Sequence, residues 1–293
     1  MGSLVTRVRT TMALFAHRRA RTMLDGQYGS AFRGRSLDFD DLRAYIPGDD
    51  VRDIDWKATA RVGAPLVTRY EALRRQNVLL VADTGRNMSA LARGGGPKKE
   101  IALLALGVIG WLAQRHGDRV ALVAGDAASS QSVAPRSGEA HLERLLRAFD
   151  GAAGPGSGPS DLTAQLDHAV RTVRARGLMF VVADEAAFDE RDAALVRRLA
   201  VQHEILWLTV RDAELAGAGA PGRARDVADG GLLLSLLARA PEVEEDYRRL
   251  MAERTAARAG ALRRLGIAEV HADTPEDVIP ALFRLLERHR RAR

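Results

Sequence analysis

Asn77-Val-Leu-Leu-Val-Ala-Asp-Thr-Gly-Arg-Asn-Met-Ser89 decides how this chain is read. Val78–Ala82 is apolar without a break, and Asp83 then opens a loop that carries Gly85 and Asn87. A strand with one wet face alternates apolar and polar residues. A short unbroken apolar run is expected where helices cover both faces of a sheet. Val120–Ala124, Leu178–Val182 and Ile205–Val210 repeat the pattern, and Ile267–His271 is a weaker fifth case. Between and after these runs lie helical patterns at about 99–116, 138–149, 161–176, 189–201, 241–265 and 275–291. Strand–helix alternation of this kind predicts an α/β fold: a doubly wound, mostly parallel sheet with helices on both faces. Ser132–Val133 is expected as a short antiparallel edge strand returning from Val120–Ala124.

Upstream of residue 77 the pattern changes. Leu42, Ala44 and Ile46 alternate with Arg43 and Tyr45 and run into the turn Pro47-Gly48, which suggests a short strand. Asp50 is positioned to cap a helix on which Val51, Ile54 and Ala58 share a face. Leu66–Glu71 alternates again and can pair with the earlier strand. The expected organisation is a basic N-terminal helix or arm at 1–24, a region of short strands and a helix at 25–76 forming a small β-rich appendage, and the α/β domain at 77–293. Gly94–Pro97, Gly151–Ser160 and Ala216–Gly222 read as Gly- and Pro-rich surface connections.

Charge is unevenly placed. Residues 1–35 carry seven arginines against the single acid Asp25, which equals the whole net charge of +6. Such an arm can meet nucleic acid, anionic lipid or an acidic protein surface, and its plainer reading is a solvated helix. Only Phe15, Tyr28 and Phe32 fall among these arginines, without the regular alternation that single-strand binding wants, so nucleic acid is not the expected partner. The chain has no cysteine, which excludes disulfides and thiolate chemistry. The longest apolar run, Ile101–Ala113, falls short of the roughly 18–20 residues that span a bilayer. Residues 12–16 are too short for the apolar core of a signal peptide, so the cytoplasm is the expected compartment.

Acids recur where strands end: Asp83, Asp184 and Asp212 each follow one of the apolar runs. Ligands of open parallel sheets bind outside the carboxyl ends of the strands, and two carboxylates delivered there could hold a magnesium ion. An aspartate at a strand end also caps the following helix, and both readings stand at this point. Asp126, in the dipeptide Gly125-Asp126, reads as a hairpin turn. A second acidic group, Asp38, Asp40, Asp41, Asp49, Asp50, Asp53 and Asp55, is interleaved with Arg33, Arg35, Arg43, Arg52, Lys57 and Arg61. A two-metal hydrolase would want such carboxylates, whereas the interleaved bases point to paired charges that fix turns and caps. Gly217–Gly222 matches a dinucleotide fingerprint by letter but contains Pro221 and sits too far past its strand. Gly94–Lys99 lacks phosphate-loop spacing, and neither a nucleophile elbow nor a zinc-protease motif occurs. No nucleotide, haem or zinc is therefore expected.

The stretch Arg33-Gly-Arg-Ser-Leu-Asp-Phe-Asp-Asp-Leu-Arg-Ala-Tyr-Ile-Pro-Gly-Asp-Asp-Val-Arg-Asp-Ile-Asp-Trp-Lys-Ala-Thr-Ala-Arg61 resembles the signature of the domain of unknown function 58 (DUF58) family. Arg69-Tyr70-Glu71 and Val78–Met88 continue the match. The resemblance implies a von Willebrand factor A-like sheet and, at its carboxyl end, a metal-ion-dependent adhesion site. In such sites the first strand leads into an Asp-x-Ser-x-Ser loop, completed by a threonine and a later aspartate. Here Asp83 matches, while Gly85 and Asn87 replace the serines. Thr163 and Asp184 are the candidates for the other two positions. The implied site is thus a degenerate one at Asp83, Asn87, Thr163 and Asp184, expected to dock a partner and to hold magnesium or stay empty. The resemblance also implies a MoxR-type AAA+ ATPase as partner. The expected function is a non-catalytic binding or adaptor module. The alternative is a metal-dependent phosphoester hydrolase using the Asp38–Asp55 carboxylates.

Overall fold

The computed structural model describes residues 2–15, 23–29, 42–47, 49–51, 54–68, 75–185, 188–213, 224–225, 227, 232–233 and 241–291. Its helices are α1 (Leu4–Phe15), α2 (23–29), α3 (Trp56–Val62), α4 (Lys98–Arg115), α5 (Glu139–Ala152), α6 (Leu162–Thr172), α7 (Glu190–Ala200), α8 (Pro241–Arg264) and α9 (Pro275–Arg291). Its strands are β1 (Leu42–Ala44), β2 (Leu66–Thr68), β3 (Asn77–Asp83), β4 (Arg119–Gly125), β5 (Ser130–Arg136), β6 (Gly177–Ala183), β7 (His203–Val210), β8 (Ala224–Arg225), β9 (Leu232–Leu233) and β10 (Ala268–Ala272).

Six strands form one sheet in the order β10-β7-β6-β3-β4-β5, parallel except for β5. The first strand of the domain lies inside the sheet, flanked by β4 and β6, and the chain returns across it to build outward on each side. This is a doubly wound, mostly parallel sheet. The apolar runs explain it residue by residue. Val78, Leu80 and Ala82 point into a core shared with α4, α5 and α9, whereas Leu79 and Val81 point into a second core against α6 and α7. The side-chain period of two therefore loads both faces, which a sequence with polar alternate positions could not do.

Helix α4 fills the middle of the first core and is buried along nearly its whole length from Ile101 to Ala113. Its two glycines set how closely neighbours approach. A Cβ at Gly107 would lie 2.5 Å from a Val8 methyl, and one at Gly110 would lie 2.5 Å from a Leu142 methyl. The partner at Gly107 belongs to α1, so the basic N-terminal segment is not a solvated helix. Val5, Val8 and Met12 bury one face of α1 in the main core, and Leu24 and Tyr28 of α2 join them. The arginines Arg7 and Arg9 occupy the outward face. The backbone N–H groups of Leu4 and Val5 and the Ser3 hydroxyl donate to the carboxylate of Glu143 on α5 at 2.9–3.1 Å. A carboxylate at a helix N-terminus satisfies open donors and faces the positive end of the dipole.

In the appendage, β1 and β2 pair antiparallel with Arg43 opposite Val67. Asp55 caps α3 by accepting from the Lys57 and Ala58 N–H groups, both at 2.9 Å, and Gly63 ends it in the left-handed conformation at φ 77°. The helix expected after Asp50 begins instead at Trp56, because the Asp55 side chain supplies the better cap. The edge strand expected at Ser132–Val133 extends over the whole of β5, whose exposed polar residues gave little apolar signal.

Candidate functional site

At the carboxyl end of the sheet, β3, β6 and β7 deliver Asp83, Asp184 and Asp212 side by side. The loop after β3 covers them. Its Gly85 N–H folds back to donate to Asp83 Oδ1 at 2.7 Å. A short 3₁₀ turn over Arg86–Ser89 then buries Met88 and leaves Asn87 partly exposed. The loop is held from a second side by Ser160, whose Oγ accepts the Asn87 N–H at 3.1 Å. The Asn87 side-chain amide donates to Asp184 Oδ2, also at 3.1 Å. Asp83, Asn87 and Asp184 are therefore brought together as the sequence suggested.

Thr163 is not part of that group. Its hydroxyl donates to Asp192 Oδ1 at 2.5 Å. Asp192 in turn accepts the Asp189 N–H and completes a capping box at the start of α7. The threonine thus ties α6 to α7, and the adjacent Asp161 caps α6 through the Ala164 N–H at 2.8 Å.

Gly85 shows why the first serine of the adhesion-site pattern is absent. A Cβ at that position would sit 2.3 Å from the Ser160 Cα and 2.5 Å from its Oγ. The loop bearing Ser160 occupies the space that a side chain at 85 would need. A hydroxyl still reaches Asp83, but from Ser160 rather than from the loop itself. Burial pushes the Asp83 carboxyl up to about 7, against the lowering effect of the Gly85 N–H. The nearby Asp184 raises it further, while the Ser160 hydroxyl and Asp161 N–H oppose.

The largest addition to the sequence reading is Lys98. It is the first residue of α4, only 1% exposed, and its ammonium pairs with Asp184 Oδ2 at 3.6 Å and with Asp212 Oδ1. Burial alone would lower the proton affinity of this amine. The two carboxylates more than offset that and hold it above its ordinary range, so the lysine is charged. Asp212 is itself fixed by its N–H, which donates to the buried Glu185 at 2.9 Å. Next to it, Arg211 clasps Asp273 in a two-pronged pair, with Nε to Oδ1 at 2.6 Å. Lys98 left a faint mark in the sequence: it stands at the head of a helix whose middle, Ile101–Ala113, is apolar.

A magnesium ion wants several converging oxygens in a near-octahedral shell. The four residues expected to supply them do not offer that. Asn87 turns its amide nitrogen toward Asp184, Thr163 faces α7, and Lys98 puts a positive charge against Asp184. Among the described residues no three histidine or carboxylate side chains converge closely enough to hold a metal ion. These residues do not fit the ion.

The surface around the group is mixed in character. Leu91 is 47% exposed, Arg93 is exposed, and Asn87, Arg86 and Asp212 are partly so. The Ala92 and Asp212 backbones pair across the loop, and the Ala213 N–H donates to the Leu91 carbonyl. That pairing seats Leu91 next to the end of β7. A cleft of about 360 Å³ lined by Thr84, Asp126, Ser129, Gln131 and Ser157 opens alongside. Asp126 makes the hairpin turn expected of it, accepting the Ala128 and Ser129 N–H groups at 2.9 and 3.0 Å.

In the second acidic group, Asp38, Asp40, Asp41 and Asp53 lie outside the described residues. Of the others, Asp55 caps α3, and Asp49 accepts the Ile46 N–H at 2.9 Å in a turn. These two carboxylates serve the backbone.

Residues 41–256 match the model of the protein family of unknown function DUF58. The chain belongs to this family. Its similar relatives include an uncharacterized protein of Mycobacterium tuberculosis, Rv1480, which is 27% identical over 289 residues, 96% of this chain and 88% of that protein. An uncharacterized protein of Mycobacterium bovis, Mb1516, matches with the same figures. Among solved structures, this DUF58 chain is similar to an aerotolerance-related membrane protein from Bacteroides fragilis, at 14% identity and a TM-score of 0.47 over 72% of this chain and 98% of that one. It is also similar to a von Willebrand factor type A protein from Catenulispora acidiphila, at 9% identity and a TM-score of 0.38 over 75% and 43% of the two chains. Among the described residues of the DUF58 chain, no helix is long and apolar enough to cross a membrane.

Proposed function

We propose that this protein is a non-catalytic binding module of the cytoplasm that docks a protein partner, a MoxR-type AAA+ ATPase, on the carboxyl-end face of its sheet. The observation that carries the reading is the state of the polar groups there. Asp83, Asp184 and Asp212 are each engaged by internal donors, Lys98 and Asn87 foremost. A general base or nucleophile needs a free lone pair directed at substrate. What this face offers a visitor is shape and mixed chemistry: exposed Leu91 and Arg93, partly exposed Asn87, and the adjoining cleft. An apolar anchor with a polar rim is how protein interfaces are built.

Co-purification with the ATPase checks the reading. The expected result is recovery with wild type that falls at least about tenfold, roughly 1.4 kcal/mol, in Asn87→Ala. Equal recovery in the variant removes this face from the interface. No recovery with wild type removes the ATPase as the partner.

A further inference from the structure

We propose that the ammonium of Lys98 is the resident cation of the carboxyl-end face, standing in the place of a divalent ion, so that the face is complete without metal. The inference deepens the docking proposal above and rests on it for the use to which the face is put.

The geometry supports it in three steps. Lys98 reaches the face from the first turn of α4, and its whole side chain is buried. A lysine is kept in such a place only when its charge is matched, and here two carboxylates match it. Next, Asp184 Oδ2 accepts from the Asn87 amide and is ion-paired with the Lys98 ammonium at 3.6 Å. This oxygen thus already faces one amide donor and one positive charge, which repels a second cation. Finally, two of the positions that the adhesion-site pattern would supply are taken. Side-chain space at Gly85 is filled by Ser160, and the Thr163 hydroxyl is committed to Asp192. Admitting a divalent ion would require the ammonium to leave a closed site, stranding its charge. The lysine therefore supplies without exchange what a bound ion would supply reversibly: a fixed positive charge that holds the strand ends of β6 and β7 together. A consequence is that a partner cannot be captured by lending a carboxylate to an open metal position. It must instead recognise the outer surface, Leu91, Arg93 and the exposed edge of Asn87.

The test is metal titration of the full chain, which involves no partner, so its failure is separable from failure of the docking proposal. Calorimetry of wild type with magnesium and with manganese is expected to give heats of dilution only, and the unfolding midpoint should be the same in EDTA. Lys98→Ala is expected to unfold at a lower temperature and to be restabilised by manganese. That restabilisation should be lost in the double variant with Asp184→Asn. Saturable manganese binding by wild type that Asp184→Asn abolishes overturns the proposal. So does a folded Lys98→Ala protein with the wild-type midpoint, or one that manganese does not stabilise. If Lys98→Ala fails to fold, Lys98→Met, which keeps an apolar stem, is judged by the same criteria beside the wild-type titration.

Discussion

At the residue scale, the carboxyl-end face is governed by which groups have already found partners. Gly85 is the clearest case, since its missing side chain looks like a lost ligand in the sequence and proves to be a steric requirement. Restoring a serine there should not restore an adhesion site. With the Ser160 backbone 2.3 Å from the new Cβ, Gly85→Ser must shift one loop or the other. The expected cost is about 1–3 kcal/mol in urea denaturation, with no magnesium binding gained. A Gly85→Ser protein as stable as wild type would show that the two loops are not in contact. The same scale marks where sequence reasoning stopped. Asp83, Asn87 and Asp184 were found because a strand end announces its own loop. Lys98 was not, because its partners Asp184 and Asp212 lie 86 and 114 residues away in the chain and no local spacing links them. The partner of Thr163 is hidden from the sequence for a similar reason. Its position in the first turn of α6 is visible in sequence, but the side on which Asp192 waits is not.

At the scale of elements, most of the sheet was legible and one helix was misjudged. β3, β4 and β6 announce themselves by unbroken apolar runs and β7 by one interrupted at Thr209, and the observed limits lie within two residues of those runs. Such runs leave few alternatives once helices flank them. β5 was read at a fraction of its length, since an exposed edge strand carries little apolar pattern. α1 was read from its arginines, which lie on the solvent side, rather than from Val5, Val8 and Met12, which lock it to α4. Its packing makes a definite prediction. Val8→Asp buries a charge without a partner against Gly107 and is expected to cost about 2–4 kcal/mol, measured by chemical denaturation of the full chain. A substitution at Arg7 on the opposite face should stay within about 0.5 kcal/mol. If both variants are neutral, α1 does not belong to the core. Glu143→Gln, which weakens the acceptor at the start of the same helix, is expected to cost about 1 kcal/mol by the same measurement.

At the scale of the whole molecule, buried titratable groups pull the pH dependence of stability in two directions. Burial lowers the proton affinity of His203 and His289, so the unfolded chain binds those protons more readily. Their contribution is present at neutral pH and is lost as pH falls below the unfolded value of 6.5. Asp83 acts with the opposite sign. Its carboxyl is raised from 3.8 to about 7, so the folded state holds a proton that the unfolded state releases. That contribution is present below 3.8 and is lost as pH rises through about 7, a span worth roughly 4 kcal/mol at most. Between pH 5 and 7 the two effects offset one another and flatten the wild-type profile. Burial raises Asp118, Glu185 and Asp192 in the same sense, and Asp83→Asn removes one of these contributions. Its unfolding midpoint should rise more steeply with pH over that interval than the wild-type midpoint does. Parallel profiles would mean that the Asp83 carboxyl is ionised throughout.

On the carboxyl-end face the buried charges are paired with one another, while Leu91 and Arg93 are exposed. The Leu91 side chain is 47% exposed on that face, so replacing it disturbs the core little. The most direct measurement is therefore calorimetric affinity between the full chain and the purified MoxR-type ATPase, for wild type and for Leu91→Asp. The expected result is saturable binding by wild type and at least about a tenfold weaker dissociation constant for the variant, with its unfolding midpoint unchanged. Equal affinities for the two proteins, or no binding by wild type, would contradict docking of this ATPase on the carboxyl-end face.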